Sequence, residues 1–248
     1  MSGLVLVTGG SRGIGAAVAI GAAKAGYDVC LTYRADAAAA ASVVEQIEAE
    51  SCRGLAIQAD VSSDAEANQV FAQIDQWGRP LSVLVNNAGI VDARSPLSQM
   101  STERIERMMR VNVVGSMIYA REAIKRMSLD SGGAGGSIVN VSSVAAKLGS
   151  PNLYVDYAAS KGAIDTLTKG LALELAECGI RVNAVRPGII DTEIHASGGE
   201  TDRIAQIRSA VPMKREGSAA EVADAILFLI SPKASYVTGA ILDVSGGR

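Results

Sequence analysis

The stretch VTGGSRGIG, residues 7–15, joins a short apolar run to a helical pattern, with Gly9, Gly13 and Gly15 spaced as T-G-x-x-x-G-x-G. Glycine lets a backbone turn tightly and come close to a bound group. A helix that opens directly afterwards offers free amides and the positive end of its dipole, so a pyrophosphate suits the loop. An ordinary strand-to-helix turn is the simpler reading of such a motif in isolation; its weight comes from what surrounds it.

Outward from this loop, short runs rich in Val, Ile and Leu recur at 4–7, 29–33, 55–58, 81–86, 137–141, 180–185 and 240–244. Between them lie stretches of helical spacing at 14–25, 36–50, 64–76, 102–127, 157–177 and 219–230. Strand and helix in alternation predict a doubly wound parallel sheet of about seven strands, Rossmann-type, with helices on both faces. No linker interrupts the pattern, which predicts a single domain over residues 1–248. The glycine-rich 130–137 reads as a surface turn, and the polar excursion 191–212 as a substrate lid.

With 48% hydrophobic and 20% charged residues and a net charge of -3, the chain reads as globular, without the basic field that nucleic acid or an acidic membrane would need. Three cysteines and one histidine, His195, argue against a disulfide framework and a metal site. No apolar run approaches a membrane span and the amino terminus lacks a secretory pattern, so a cytoplasmic location is expected.

A dinucleotide fold places the residue that meets the adenine ribose at the end of the second strand, where the chain reads TYRAD with Tyr33 and Arg34. A carboxylate there would accept from both ribose hydroxyls, whereas an arginine grips a 2′-phosphate. Arg34, with Arg12 in the glycine loop, therefore favours NADP(H), with NAD(H) as the alternative. Asp36 is the counter-evidence, unless it caps the following helix.

YVDYAASKGAI, residues 154–164, sets Tyr154, Tyr157 and Lys161 at spacings that share one helical stripe. Lys161 is roughly 6 Å along the axis from Tyr157 and over 10 Å from Tyr154, so its charge acts mainly on Tyr157. Acting as a base near neutrality requires lowering a phenol by about 2 to 3 units. Lys161 and a positive nicotinamide ring are the expected source, and Tyr154 is assigned to the substrate wall or core.

Other strand ends read VNNAG, VSSVAA and RPGIIDT, and VNVVG lies in a long helix. Taken together these motifs, from the glycine loop to YVTGAILDVSGG, resemble the classical short-chain dehydrogenase/reductase family over essentially the whole chain. The resemblance implies Tyr157 and Lys161 as the catalytic Y-x-x-x-K pair, Ser143 in preference to Ser142 as the substrate-orienting hydroxyl, and Asn112 as the organiser of a lysine-bound water. It implies cofactor contacts at Gly9, Ser11, Arg12, Gly13, Ile14, Gly15, Tyr33, Arg34, Asp60, Val61, Asn87, Ala88 and Gly89. Tyr157, Lys161, Pro187, Gly188, Ile190 and Thr192 complete that set, and His195 stays outside it.

An NADPH-linked oxidoreductase interconverting a ketone or aldehyde with an alcohol follows, acting on a small molecule. Alternatives are an NAD-dependent alcohol, sugar or steroid dehydrogenase, and a non-catalytic dinucleotide-binding regulator. The resemblance further implies a homotetramer, paired through helices 102–127 and 157–177 and an apolar carboxyl-terminal segment.

Overall fold

The structure is a computed structural model and describes residues 3–191 and 211–248. Its strands are β1 (Leu4–Val7), β2 (Asp28–Tyr33), β3 (Gly54–Gln58), β4 (Leu81–Asn86), β5 (Gly136–Val141) and β6 (Ile180–Pro187). Two two-residue strands follow, β7 (Ile190–Asp191) and β8 (Gly217–Ser218), and then β9 (Ile241–Val244). Seven of them form one parallel sheet in the order β3-β2-β1-β4-β5-β6-β9, while β7 and β8 pair with each other. The expected doubly wound sheet is present. Its order reverses between β1 and β4, the switch point where open parallel sheets bind ligands.

Helices α1 (Gly13–Lys24), α2 (Ala37–Ala49) and α8 (Ala219–Ile230) cover one face. On the other lie α3 (Asp64–Trp77), α5 (Gly115–Met127) and α7 (Val155–Glu174), joined by α4 (Thr102–Met109) and the short α6 (Ala145–Leu148). Alternation along β1 builds both cores at once. Leu4 and Leu6 enter the cluster with Phe71, Tyr119 and Ile138, while Val5 and Val7 enter the one with Val18, Val29 and Ile226. All four β1 side chains are wholly buried, as a strand covered on both faces requires.

Helix ends follow local chemistry. Asp36 accepts from the amide of Ala39 at 2.9 Å and caps α2, Ser63 caps α3, and Ser218 with Glu221 forms a capping box on α8. Gly78, at φ 72°, closes α3 in the left-handed region.

Three sequence readings change. The helix expected over 102–127 is two helices separated by a π-helical turn, Arg110–Val114, a wider coil that leaves the helical periodicity on either side intact and so does not show in the pattern. Tyr154 is not in α7; it is the cap residue before the first turn, with non-helical backbone at φ -150° and ψ 70°, so it does not share a helical stripe with Lys161. The end of the turn at 130–137 belongs to β5, which starts at Gly136. Of the segment 191–212, Asp191 lies in β7 and Val211 is buried; residues 192–210, with Thr192 and His195, lie outside the described residues.

Candidate active site

The glycine loop is shaped by two left-handed residues and one close approach. Gly9 and Gly13 have φ of +64° and +55°. A side chain at Gly15 would place its Cβ 2.3 Å from the Gly9 carbonyl oxygen and 2.5 Å from Asn87 Nδ2. The cradle therefore admits backbone only. Asn87 Nδ2 donates to the carbonyls of Thr8 and Gly9, both at 2.9 Å, and Thr8 Oγ1 accepts from the amides of Asn87 and Ala88, both at 3.0 Å. These bonds tie the end of β1 to the end of β4. Arg12 stands at the cap position of α1 with no side-chain cap, and the first turn contains no acid. Amides and dipole there suit an anion, so the loop fits a dinucleotide pyrophosphate.

Beside the loop opens a cavity of about 360 Å³, lined among others by Ser11, Arg12, Tyr33, Arg34, Asp60 and Val61. Arg34 is mostly exposed, with Nε 3.5 Å from Asp60 Oδ2. Burial opposes ionisation of Asp60, but hydrogen bonds from the hydroxyl and amide of Ser62, with Arg34 adding its charge, hold its carboxyl below the usual range. Asp36 also lines this cavity, but its Oδ1 is committed to the cap of α2.

A second cavity of about 380 Å³ lies at the carboxyl ends of β4, β5 and β6 and holds Ser142, Ser143, Tyr154, Tyr157, Lys161 and Arg248. Much of its wall is apolar, from Val91, Val144, Leu148, Leu153, Ile189 and Ile190. Pro187 and Gly188 line it as well; Gly188 packs against Ser245, where a Cβ would come within 2.7 Å of the Ser245 Cα. The two cavities share Ile14, Asn87 and Gly89, so the path between them runs over the switch point.

The structure separates the two serines. Ser142 is buried and donates to the carbonyl of Lys161 at 3.2 Å, whereas the Ser143 hydroxyl accepts from the amide of Ala145 at 3.1 Å, lines the cavity and is the side chain that favours ionisation of Tyr157. Tyr154 packs its ring edge-on against Tyr157, with centroids 6.3 Å apart and planes at 87°. Burial raises the Tyr157 phenol above its ordinary value, and the Ser143 hydroxyl only partly opposes this. Lys161 is not among the groups that lower it. The ammonium lies 5.7 Å from the ring centre and donates to the carbonyl of Val141 at 2.7 Å. Burial brings Lys161 down to about 8, with Asp165 opposing.

Asn112 sits at the π turn, 1% exposed. Its Oδ1 accepts from the amide of Ile90 at 2.8 Å, and its Nδ2 donates to the carbonyl of Ile90 and to Ser160 Oγ, each at 3.0 Å. The side chain therefore braces the loop after β4. A Cβ at Gly89 would stand 3.2 Å from Asn112 Oδ1 and 3.5 Å from Lys161 Nζ, so glycine at 89 lets these groups converge. Beneath them Asn86 donates to Asn140 at 3.0 Å and Asn140 to Thr168 at 2.9 Å, a buried ladder seating α7 on the sheet.

Every assigned residue that the structure describes lines one of these two cavities except Gly15 and Asn112, which pack behind the lining against Asn87 and Ile90, while Thr192 lies outside the described residues. Sequence reasoning missed Asp165 and Arg186, whose ion pair of 2.8 Å lies under α7, and Arg248 in the second cavity. Position four residues beyond Lys161 was the available signal for Asp165.

Fold and site together place the chain among the dinucleotide-dependent oxidoreductases with a Rossmann-type sheet. The profile of a family described as enoyl-(acyl carrier protein) reductase matches residues 9–248. An uncharacterized oxidoreductase of Escherichia coli K12, YgfF, is 53% identical over 99% of both chains. A short chain dehydrogenase from Burkholderia cenocepacia, solved in complex with NADP, is 34% identical, with a TM-score of 0.90 over 98% of this chain and 96% of that one. The acetoin dehydrogenase YohF of Salmonella typhimurium is 34% identical, with a TM-score of 0.89 over 100% of this chain and 96% of its own. The chain belongs to the short-chain dehydrogenase/reductase family.

Proposed function

We propose that the chain is an NADPH-linked carbonyl reductase, reversible as an alcohol dehydrogenase, working as one domain over residues 1–248. The supporting observation is that Ser143, Tyr157 and Lys161 line one largely apolar cavity that adjoins the glycine-loop cavity. The nicotinamide supplies or accepts the hydride when bound. Ser143 and Tyr157 hold the carbonyl oxygen, and Tyr157 donates the proton as the alcohol forms. A phenol raised by burial stays protonated at neutral pH, the form reduction needs. In the oxidative direction the same hydroxyl must lose its proton, and the ammonium of Lys161 stabilises the phenolate once further positive charge is present. Asn112 acts on this pair by holding the loop that carries Ile90 and, through Ser160, the first turns of α7. It organises the lysine-bound water in this reading.

Arg34 and Arg12 are the proposed partners of a 2′-phosphate. The diversion of Asp36 into a helix cap supports NADPH over NADH, as does the NADP complex of the Burkholderia relative. Pro187, Gly188, Ile190 and Thr192 complete the nicotinamide end. A cytoplasmic homotetramer is the proposed assembly, consistent with exposed Met117 on α5 and Leu173 on α7 and with Phe228, Tyr236 and Leu242 towards the carboxyl end.

The test is a panel of carbonyls with NADPH, followed by loss of reduced-nicotinamide absorbance, and including small diketones, sugars, steroids and acyl-carrier-linked ketones. Turnover with at least one class is expected. Tight cofactor binding with no turnover across the panel would return the chain to the non-catalytic reading, and a preference for NADH would reverse the cofactor assignment.

A further inference from the structure

We propose that Asp165 is a positioning residue that keeps Lys161 cationic through its buried carboxylate, one helical turn along α7, while Arg186 anchors that carboxylate from the sheet. The inference rests on the roles given above to Lys161 and Tyr157 and goes beyond them, since it concerns what holds the lysine in its charged form.

Positions 161 and 165 are four apart on α7 and share a face. Both are buried, Lys161 at 5% and Asp165 at 8% exposed. Arg186, on β6, donates Nε and Nη2 to the same oxygen, Asp165 Oδ2, at 2.9 and 2.8 Å. Asp165 Oδ1 is left buried with no hydrogen-bond partner among the described residues. A carboxylate that uses one oxygen for an arginine keeps a half-satisfied charge, and a second cation within the same low-dielectric region offsets it.

Arg186 is also shared. Its Nη1 lies 3.5 Å from Asp243 on β9, which in turn holds Lys147 of α6 at 2.7 Å. The ion pairs of Asp165, Arg186, Asp243 and Lys147 therefore run from α7 across two strands, and Lys161 stands one helical turn before Asp165. Because Arg186 serves two acids, it does not fully neutralise Asp165.

The groups nearest the ammonium are uncharged, namely the Val141 carbonyl from β5, the Tyr157 ring from α7, and Gly89 with Asn112 from the loop after β4 and the π turn, while Arg248, a cation that would favour the neutral amine, lines the same cavity. From β6 the charged group is Arg186, which is directed to Asp165. Asp165, one turn along the same buried face of α7, is then the carboxylate placed to offset a burial that favours the neutral amine. Without it the lysine loses its proton nearer neutrality, and the phenol of Tyr157 loses its cation.

Lysine labelled with carbon-13 at the ε position reports this charge directly. The sequence has seven lysines, few enough for the Lys161 signal to be assigned by its loss in Lys161→Met. In the unliganded protein the Lys161 signal is expected to titrate near 8. In Asp165→Asn it moves down by about 1 unit or more, and the alkaline limb of kcat/KM moves down with it. Arg186→Gln breaks the same ion pair but keeps the carboxylate, so there the Lys161 signal holds or moves up. A purely structural ion pair would make the two variants behave alike.

A Lys161 signal within about 0.3 units of the parent in Asp165→Asn would overturn the proposal, as would a downward move in Arg186→Gln. Should Asp165→Asn fail to fold, the direction in Arg186→Gln decides. The titration needs neither substrate nor cofactor, so absence of all carbonyl turnover would sink the reductase reading while this result stood or fell separately.

Discussion

Ser142 donates its hydroxyl to the main-chain carbonyl of Lys161 over 3.2 Å, and this inward turn leaves Ser143 as the neighbour of the Tyr157 hydroxyl. Replacing Ser143 by alanine is expected to lower kcat about a hundredfold with little change in stability. Ser142→Ala is expected to keep kcat within about threefold and to lose roughly 1 kcal/mol of stability, because a buried carbonyl loses its donor. Steady-state kinetics and urea unfolding on both variants check this. The reverse pattern would move the substrate-orienting role by one residue.

Tyr157→Phe keeps the ring and its edge contact with Tyr154 while removing the proton donor. A fall in kcat of about 10² to 10⁴ is expected, with cofactor affinity held within about threefold. A difference spectrum between parent and variant should show no phenolate step below pH 10 in the unliganded protein, because burial raises this phenol. With oxidised cofactor at saturation the step should appear at lower pH, from the added positive charge. A step near neutrality without cofactor would contradict the burial argument.

Arg34 is exposed and bonded only loosely to Asp60, so its removal should barely touch the fold. Arg34→Ala is expected to weaken NADPH binding about tenfold or more and leave NADH binding unchanged. Asp36→Ala is expected to cost about 1 kcal/mol through the lost cap, without altering the ratio of the two affinities. Calorimetric titration of both cofactors decides, and an Asp36→Ala variant that gained NADPH over NADH would show the acid facing the ribose.

Lys161 stands at about 8 in the folded chain against 10.5 for the free side chain, because of burial. Between these pH values the unfolded chain holds more protons, so the unfolding free energy contributed by this group rises with pH. Below pH 8 the folded protein carries the full penalty of the buried ammonium, roughly 3 kcal/mol; it is relieved towards pH 10.5. Relative to Lys161→Met, the parent should therefore gain about 2 to 3 kcal/mol between pH 7 and pH 10 in urea unfolding. A difference that stays flat would show that burial does not displace this lysine.

Much of the arrangement was legible along the chain. Strand runs at 4–7 and 81–86 coincide with β1 and β4, and 219–230 with α8, because period and length there agree with one structure. The glycine loop was legible because two of its residues adopt left-handed backbone and the third faces a carbonyl at a distance no Cβ tolerates. Asp36 could be read as a cap from its place before an alanine-rich helix. Tyr154 was less legible, since a spacing of three fits a helix whether or not the helix has begun.

Local interactions decide what sequence by itself determines: the alternation of buried strands and amphipathic helices, the turn at the switch point, and the pairing of Tyr157 with Lys161 one turn away. Tertiary packing alone decided the π turn at Asn112, the inward turn of Ser142, the raised phenol and the placing of Arg186 beneath Asp165. These depend on burial and on partners from distant segments, such as Ile90 for Asn112 and β6 for α7. Spacing along a chain carries the geometry of one helix, but the dielectric around a charge and the partner of a buried hydroxyl exist only once the elements have packed.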